Sequence, residues 1–140
     1  MEIIDRGVLT IKTDNEYRKS VEFIPVNGTV WLTKGELIQL FDVYRQTINA
    51  CINAVFKAGT FNIEDVCKYN LIADTTKKKI EYEAYEFNFE FIVAMTFRIR
   101  SENAEILRKW IINQVFVKER FLQVPAIIQN YQWKIGRAYV

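Results

Sequence analysis

The chain has 140 residues, of which half are hydrophobic and 14 % aromatic, and its net charge is +2. This composition is typical of one folded domain with a sizeable apolar core and excludes a disordered chain. Because histidine is absent, the commonest zinc ligand and the commonest general base are both missing. We therefore expect no enzyme, no metal site and no cofactor.

The two cysteines form no CxxC pair, so free buried thiols are expected. No apolar stretch reaches the roughly 20 residues that a membrane span needs. The chain starts with Met1 and Glu2 rather than with a basic and then an apolar segment. We therefore expect a cytoplasmic protein without a secretory signal.

Two β-hairpins are predicted near the N-terminus. Residues 8–12 and 21–24 are rich in β-prone side chains and flank a polar cluster, which indicates an antiparallel pair. Asn27 and Gly28 follow, and because both tolerate positive φ, they predict a type I′ turn. Pro25 lacks a backbone N–H and therefore restricts the preceding strand to a sheet edge or to its own end.

Residues 33–58 are predicted to form a helix-turn-helix. Thr33 and Glu36 have the spacing of a capping box, so a helix should begin there and run to about Phe41. The next three residues leave room only for a tight turn. A second helix is expected from Arg45 until Gly59, which is a natural helix terminator. Its apolar residues repeat with helical spacing and are Ile48, Ile52, Val55 and Phe56.

The opposite side of this second helix predicts a DNA-reading surface. The expected base-reading residues are Arg45, Gln46, Asn49 and Asn53. Carboxamides can donate to and accept from the edge of adenine, and arginine can bind a guanine edge or a phosphate. The hydroxyl of Thr47 is expected to contact a phosphate. The alternative is an ordinary solvated helix face, but the short turn between the two helices favours DNA reading.

A hairpin over residues 66–85 is the candidate wing. One strand should begin at Val66, after a short helical turn, and a second should cover residues 80–83. The polar tip between them carries Lys77, Lys78 and Lys79, which are expected to bind phosphate beside the second helix. The simpler alternative is that these lysines only make an exposed tip soluble.

Residues 88–134 are expected to be helical. Asn88 and Ser101 are predicted N-caps, and the second of these helices should end at Val124 and Pro125, with a short helix following. Four of the cations in this part are Arg98, Arg100, Arg108 and Lys109. We expect them to be solvated or to pair with Glu102 and Glu105, a second phosphate patch being the weaker alternative.

Several motifs together resemble one protein family. They are Val30-Trp31-Leu32-Thr33, Leu40-Phe41-x-Val43-x-Arg45-x-Thr47-Ile48, Ile52, Phe56-x-x-Gly59, Val66-Cys67, Asn88, Phe97-Arg98-Ile99, Ser101 and Arg108-x-Trp110. Over residues 21–122 this pattern is similar to the N-terminal module of the virulence protein RhuM family. The resemblance implies a bacterial DNA-binding protein associated with mobile elements. A more distant architectural likeness is to the N-terminal domains of phage antirepressors.

The chain also departs from the pattern of that family. Asp42, Tyr44 and Ala50-Cys51 stand where the family has a turn glycine, a serine cap and a basic-histidine pair. Ile38 replaces a small residue where the two helices cross, which should alter their angle. Glu102 and Asn103 occupy positions that are commonly basic in the family.

These predictions describe a single α+β domain over residues 1–140, with a winged helix-turn-helix-like core, an N-terminal β-hairpin and a C-terminal helical subdomain. The expected function is binding of double-stranded DNA, as a transcriptional regulator of a bacterial mobile element. A homodimer is expected because one short reading helix offers few contacts. The alternative is a degenerate helix-turn-helix that binds a protein partner or its own copies, which the loss of cations at Ala50 and Glu102 favours.

Overall fold

The computed structural model describes the backbone of residues 5–74 and 79–122, and the side chains of residues 5–73 and 81–116. These residues form a mixed α+β fold with five helices and two antiparallel sheets, which confirms the predicted α+β class. The strands are β1 (Val8–Thr13), β2 (Lys19–Ile24), β3 (Trp31–Leu32), β4 (Cys67–Asp74) and β5 (Lys79–Asn88). The helices are α1 (Lys34–Phe41), α2 (Arg45–Lys57), α3 (Ile63–Val66), α4 (Phe89–Thr96) and α5 (Glu102–Leu122).

The first predicted hairpin is confirmed. Strands β1 and β2 pair antiparallel, with Val8 opposite Ile24. Asp14 organises the connecting turn, because its Oδ1 accepts hydrogen bonds from the backbone N–H groups of Glu16 and Arg18, both at 2.8 Å. The polar cluster between the two strands therefore specifies the turn as well as separating the strands.

The type I′ turn is confirmed, but the hairpin around it is shorter than predicted. Asn27 and Gly28 have φ values of 53° and 78°, and Val26 and Thr29 exchange backbone hydrogen bonds of 2.9 and 3.2 Å. The pairing stops at this one bridge, because the next residues that could bond across the hairpin pair elsewhere, Ile24 with Val8 and Trp31 with Asn88. The chain continues into β3, which pairs with β5 instead.

Helix α1 begins and ends as the sequence predicts. The hydroxyl of Thr33 accepts from the Glu36 N–H at 3.2 Å, and the Glu36 carboxylate accepts from the Thr33 N–H at 2.9 Å. At the other end Asp42 adopts a left-handed conformation with φ of 54°, and the N–H groups of Asp42 and Val43 both donate to the carbonyl of Ile38. This is a Schellman-type end, and α2 begins after a turn of three residues.

Arg6 ties the start of the chain to α1. Its guanidinium forms a bidentate pair with the Glu36 carboxylate, with N–O distances of 2.6 and 3.2 Å, and also donates to the carbonyl of Trp31 at 3.1 Å. Partial desolvation acts to raise the pKa of Glu36. The hydrogen bonds from Arg6 and Thr33 together outweigh that effect and hold the pKa below its ordinary value.

The end of α1 is also held by the first turn of α5. Ser101 accepts from the N–H of Ala104 at 3.0 Å, as a predicted N-cap should, and its hydroxyl donates to the carbonyl of Phe41 at 2.7 Å. Asn103, which is 8 % exposed, donates from Nδ2 to the carbonyl of Leu40 at 2.9 Å. The last carbonyls of a helix have no partner within it, and here two of them are satisfied by side chains 60 and 63 residues further along.

The predicted hairpin after α2 is confirmed. Strands β4 and β5 pair antiparallel from Cys67 opposite Phe87 to Asp74 opposite Lys79. Strand β3 lies on the other side of β5, so the sheet order is β3-β5-β4. The connecting residues 75–78 are outside the described part of the chain.

Helix α4 packs against α2 through an aromatic cluster. Asn88 caps α4 as predicted, since its Oδ1 accepts from the N–H of Phe91 at 3.0 Å. The fully buried ring of Phe91 lies with its centroid 4.9, 6.0 and 5.1 Å from those of Phe56, Phe61 and Phe87 respectively. Helix α2 is thus fixed to the core by its apolar side.

The chain divides into two compact units, Met1–Arg108 and Lys109–Val140. The described part of the second unit is the continuation of α5 to Leu122, where Ile112, Val115 and Phe116 are exposed. The single domain expected over residues 1–140 remains a prediction, and the short helix expected from Pro125 is outside the described residues. Within those residues, no helix combines the length and the apolar character needed to cross a membrane.

Candidate nucleic-acid interface

The solvent-facing side of α2 carries three of the four residues predicted to read bases. Arg45 and Gln46 in the first turn and Asn53 two turns later are exposed, as is Thr47, which was assigned to phosphate. The opposite side is apolar and buried; it consists of Ile48, Cys51, Ile52 and Val55. The 3.6-residue period therefore separated the two sides of this helix correctly.

Asn49 lies at the margin of the exposed face. The residue is half-buried, and its Oδ1 is excluded from solvent without a hydrogen-bond partner among the described residues. In this conformation the carbonyl oxygen is not available for the bidentate contact to adenine that the sequence suggested. The centre of the exposed face is instead formed by Gln46, Ala50 and Asn53.

A groove beside this face brings two further cations to α2. It has a volume of about 670 Å³ and its lining residues are Gln46, Thr47, Ala50, Cys51, Ala54, Arg98, Ile99 and Arg100. Arg98 and Arg100 belong to the connection between α4 and α5, and both are exposed. Neither arginine forms an ion pair within the described part of the chain. Of the two expected alternatives, the structure therefore agrees with solvation of Arg98 and Arg100, and pairing of these residues with Glu102 or Glu105 is not seen in that part.

Arg108 differs from the sequence expectation. Its Nη1 donates to the carbonyls of Thr96 and Ile99, both at 2.9 Å, and the side chain is half-buried. These carbonyls lie at the end of α4 and in the connection that follows it. Arg108 thus fixes the backbone that presents Arg98 and Arg100, and is not simply a solvated cation.

One signal for the exposure of these two arginines is visible in the sequence. Arg98 and Arg100 alternate around Ile99, which is 2 % exposed, so both guanidiniums point away from the core. Their position next to Gln46 and Thr47 arises from packing between segments about fifty residues apart. Periodicity within either segment does not contain that information.

The candidate wing is described only in its strands. Lys77 and Lys78 lie outside the described residues, and Lys79 begins β5 with a side chain that is not described. Their predicted contact with phosphate therefore stays a prediction. The described strand residues next to this tip include exposed Leu71 and Tyr82, which are 62 % and 57 % exposed and face each other in register.

The two cysteines are free and buried, as expected. Burial raises the pKa of the Cys51 thiol to about 11, with the positive charge of Arg98 offsetting part of the rise, and burial raises the pKa of Cys67 to about 12. Both thiols are therefore protonated and unreactive near neutral pH. Among the residues that the structure describes, no three metal-ligating side chains come together.

Comparison of the chain with family models, with curated proteins and with solved structures finds no match. The function is accordingly inferred from the geometry of α2 and of the groove beside it.

Proposed function

We propose that this protein binds double-stranded DNA, with α2 as the helix that enters the major groove. The observation that carries the proposal is the exposed polar face of α2, on which Arg45, Gln46 and Asn53 all lie in solvent-exposed positions. An α-helix with its side chains is about 10–12 Å wide, which the major groove of about 12 Å admits. Amides and a guanidinium are the groups that recognise base edges there.

The arrangement around α2 supports a winged helix-turn-helix interpretation. Strand β3 leads directly into α1, and the β4–β5 hairpin follows α2 in the chain. The strand order β3-β5-β4 places the leading strand and the hairpin in one sheet. In this interpretation Lys77, Lys78 and Lys79 at the hairpin tip bind phosphates that flank the groove.

The first turn of α2 adds a further argument. Its N-cap residue, Tyr44, makes no side-chain capping bond and is 83 % exposed. The first N–H groups of a helix favour anions, and phosphate oxygens satisfy them well. Arg45 beside these groups supplies the matching positive charge, while Thr47 supplies a hydroxyl donor.

The resemblance of residues 21–122 to the RhuM family agrees with this function and suggests a regulator carried by a bacterial mobile element. We include a symmetric homodimer in the proposal, because a single short helix contacts few base pairs and paired half-sites are the usual solution. The second candidate function is docking to a protein partner. Exposed Leu71 and Tyr82, which face each other on the β4–β5 hairpin, favour it, since adjacent large exposed side chains are typical of a protein contact.

Fluorescence anisotropy with a labelled duplex of mixed sequence tests the proposal. We expect binding that weakens steeply with added salt, and a loss of about 1–3 kcal/mol in binding free energy in Arg45→Ala. Arg18→Ala, which removes one cation from the β1–β2 turn, is the matched control and should bind almost normally. Binding that is insensitive to salt, or equal in wild type and Arg45→Ala, would reject the assignment of α2.

Base reading requires a separate measurement. Selection of duplexes from a random library should enrich a sequence motif with the wild-type protein. Asn53→Ala should lose one position of that motif while keeping its affinity for unselected DNA, because an exposed amide contributes to reading and not to phosphate attraction. An unchanged motif would remove Asn53 from the reading surface.

A further inference from the structure

The groove beside α2 has the character of an anion site. Of its lining residues, Arg98 and Arg100 are cationic and none is acidic. The opposite wall is α2 itself, which contributes the amide of Gln46 and the hydroxyl of Thr47. Guanidiniums facing neutral hydrogen-bonding groups across a groove suit a phosphate, which needs positive charge and several donors together.

We propose that Arg98 and Arg100 form a phosphate clamp, which binds the DNA strand that borders α2 when this helix occupies the major groove. The inference rests on the proposed function and extends it to a part of the chain more than forty residues beyond α2. The occupant is the sugar-phosphate backbone, so the clamp contributes affinity and orientation without sequence preference.

The backbone that carries the two arginines is held in place before any ligand binds. The N–H groups of Arg98 and Ile99 both donate to the carbonyl of Met95, at 2.9 and 3.0 Å. The guanidinium of Arg108 donates to the carbonyl of Ile99 at 2.9 Å, and Ile99 itself is buried. Only the side chains of the two arginines therefore lose freedom on binding, which lowers the entropic cost of forming the clamp.

Glu102, the acidic residue nearest to Arg100 in the sequence, forms no ion pair with either arginine among the described residues. Glu102 follows Arg100 by two residues, but its carboxylate lies 3.6 Å from the ammonium of Lys19. That ammonium also donates to Asn103 at 2.9 Å. The charges of Arg98 and Arg100 thus remain directed to solvent in the free protein.

Salt dependence of DNA binding measures the clamp directly. Each neutralised phosphate contributes about 0.9 to the slope of log affinity against log salt, so Arg98→Ala/Arg100→Ala should reduce that slope by about 1.8. Equivalently, the ratio of wild-type to variant affinity should fall about 12-fold between roughly 50 and 200 mM salt. Arg98→Lys/Arg100→Lys keeps both charges and should retain most of the slope.

The matched control removes two cations elsewhere. Lys12 and Arg18 already pair with carboxylates of the β1–β2 hairpin, at 2.9 Å from Glu22 and 3.2 Å from Asp14. Lys12→Ala/Arg18→Ala should therefore leave the slope unchanged. Thermal melting should be the same for wild type and the alanine variant of the clamp, because both arginine side chains are exposed.

The outcomes separate this inference from the proposed function. Salt-dependent binding by the wild type with the same slope in Arg98→Ala/Arg100→Ala would overturn the clamp alone. An equal decrease of slope in the control double variant would also overturn it, because the effect would then be one of net charge. Absence of DNA binding by the wild type would overturn both proposals.

Discussion

Replacing Asn103 by alanine tests how the helix-turn-helix is held to the rest of the fold. Asn103 is 8 % exposed and bridges two segments: its Nδ2 donates to the carbonyl of Leu40 at 2.9 Å and its Oδ1 accepts from the ammonium of Lys19 at 2.9 Å. Alanine at this position removes both bonds. It leaves the carbonyl of Leu40 buried at the end of α1 without its donor.

The expected destabilisation follows from these two bonds. A lost neutral hydrogen bond costs about 1 kcal/mol, and a buried group left without a partner costs about 1–3 kcal/mol. The hydrogen bond from Lys19 contributes less than a typical charged hydrogen bond, because the Lys19 ammonium also has the Glu102 carboxylate at 3.6 Å and the Lys19 side chain is 27 % exposed. We expect Asn103→Ala to lower the free energy of unfolding by about 2–3 kcal/mol, and the melting temperature by about 10 °C.

Urea unfolding followed by circular dichroism measures this loss. Asn53→Ala is the matched control, because Asn53 is an exposed helical asparagine and alanine has the higher helix propensity. The control should therefore be as stable as the wild type or slightly more stable. If Asn103→Ala lowered the free energy of unfolding by less than about 0.5 kcal/mol, the contact between the first turn of α5 and the end of α1 would not anchor the helix pair.

Three other predictions concern the folded state. Gly7→Ala should lower the free energy of unfolding by about 3 kcal/mol. The added Cβ would lie 2.8 Å from a backbone oxygen of β2, and the φ of Gly7 is +74°. Gly28→Ala, with a similar φ of +78° but no atom within 4 Å of the added Cβ, should cost only about 1–2 kcal/mol. The lowered pKa of Glu36 means that the unfolded state binds more protons, so its contribution to stability is lost as the pH falls below about 4.5. The melting-temperature difference between wild type and Glu36→Gln should therefore narrow in acid. Cys51 and Cys67 should resist iodoacetamide in the native protein at about pH 8 and react in denaturant.

A specific outcome would contradict each of these three predictions. If Gly7→Ala and Gly28→Ala lost the same free energy of unfolding, the positive φ of Gly7 would explain its whole effect and the close contacts of the added Cβ would contribute nothing. A constant difference between wild type and Glu36→Gln down to about pH 3 would mean that the Glu36 carboxylate is not stabilised by its partners in the folded state. Rapid alkylation of the native protein would contradict the burial of the two thiols.

The elements that the sequence predicted well depend on neighbours a few residues apart. The capping box of Thr33 and Glu36 and the cap at Asn88 each join residues three positions apart. The turn at Asn27 and Gly28 requires only that both residues accept positive φ. Such interactions are fixed by spacing along the chain, and the apolar period of α2 is fixed in the same way.

In the candidate site, too, the sequence predicted what depends on spacing along the chain. Helical spacing placed Arg45, Gln46 and Asn53 on the exposed side of α2, because a residue opposite a buried stripe is solvent-facing wherever the helix packs. Spacing could not show that Asn49 lies at the margin, with its Oδ1 covered. The width of a buried face depends on what packs against it, and that is decided by other elements.

Tertiary structure decided which distant groups meet. It paired β3 with β5 after the Asn27 turn, joined Asn103 to the end of α1 across 63 residues, and brought Arg98 and Arg100 to the groove beside α2. The local sequence allows many alternative contacts at each of these places. The fold selects the set that leaves the fewest buried polar groups unpaired and the fewest cavities in the core. The sequence by itself therefore determined the helices, the turns and the polar side of α2, whereas the packing of the whole chain determined which cations stand beside it.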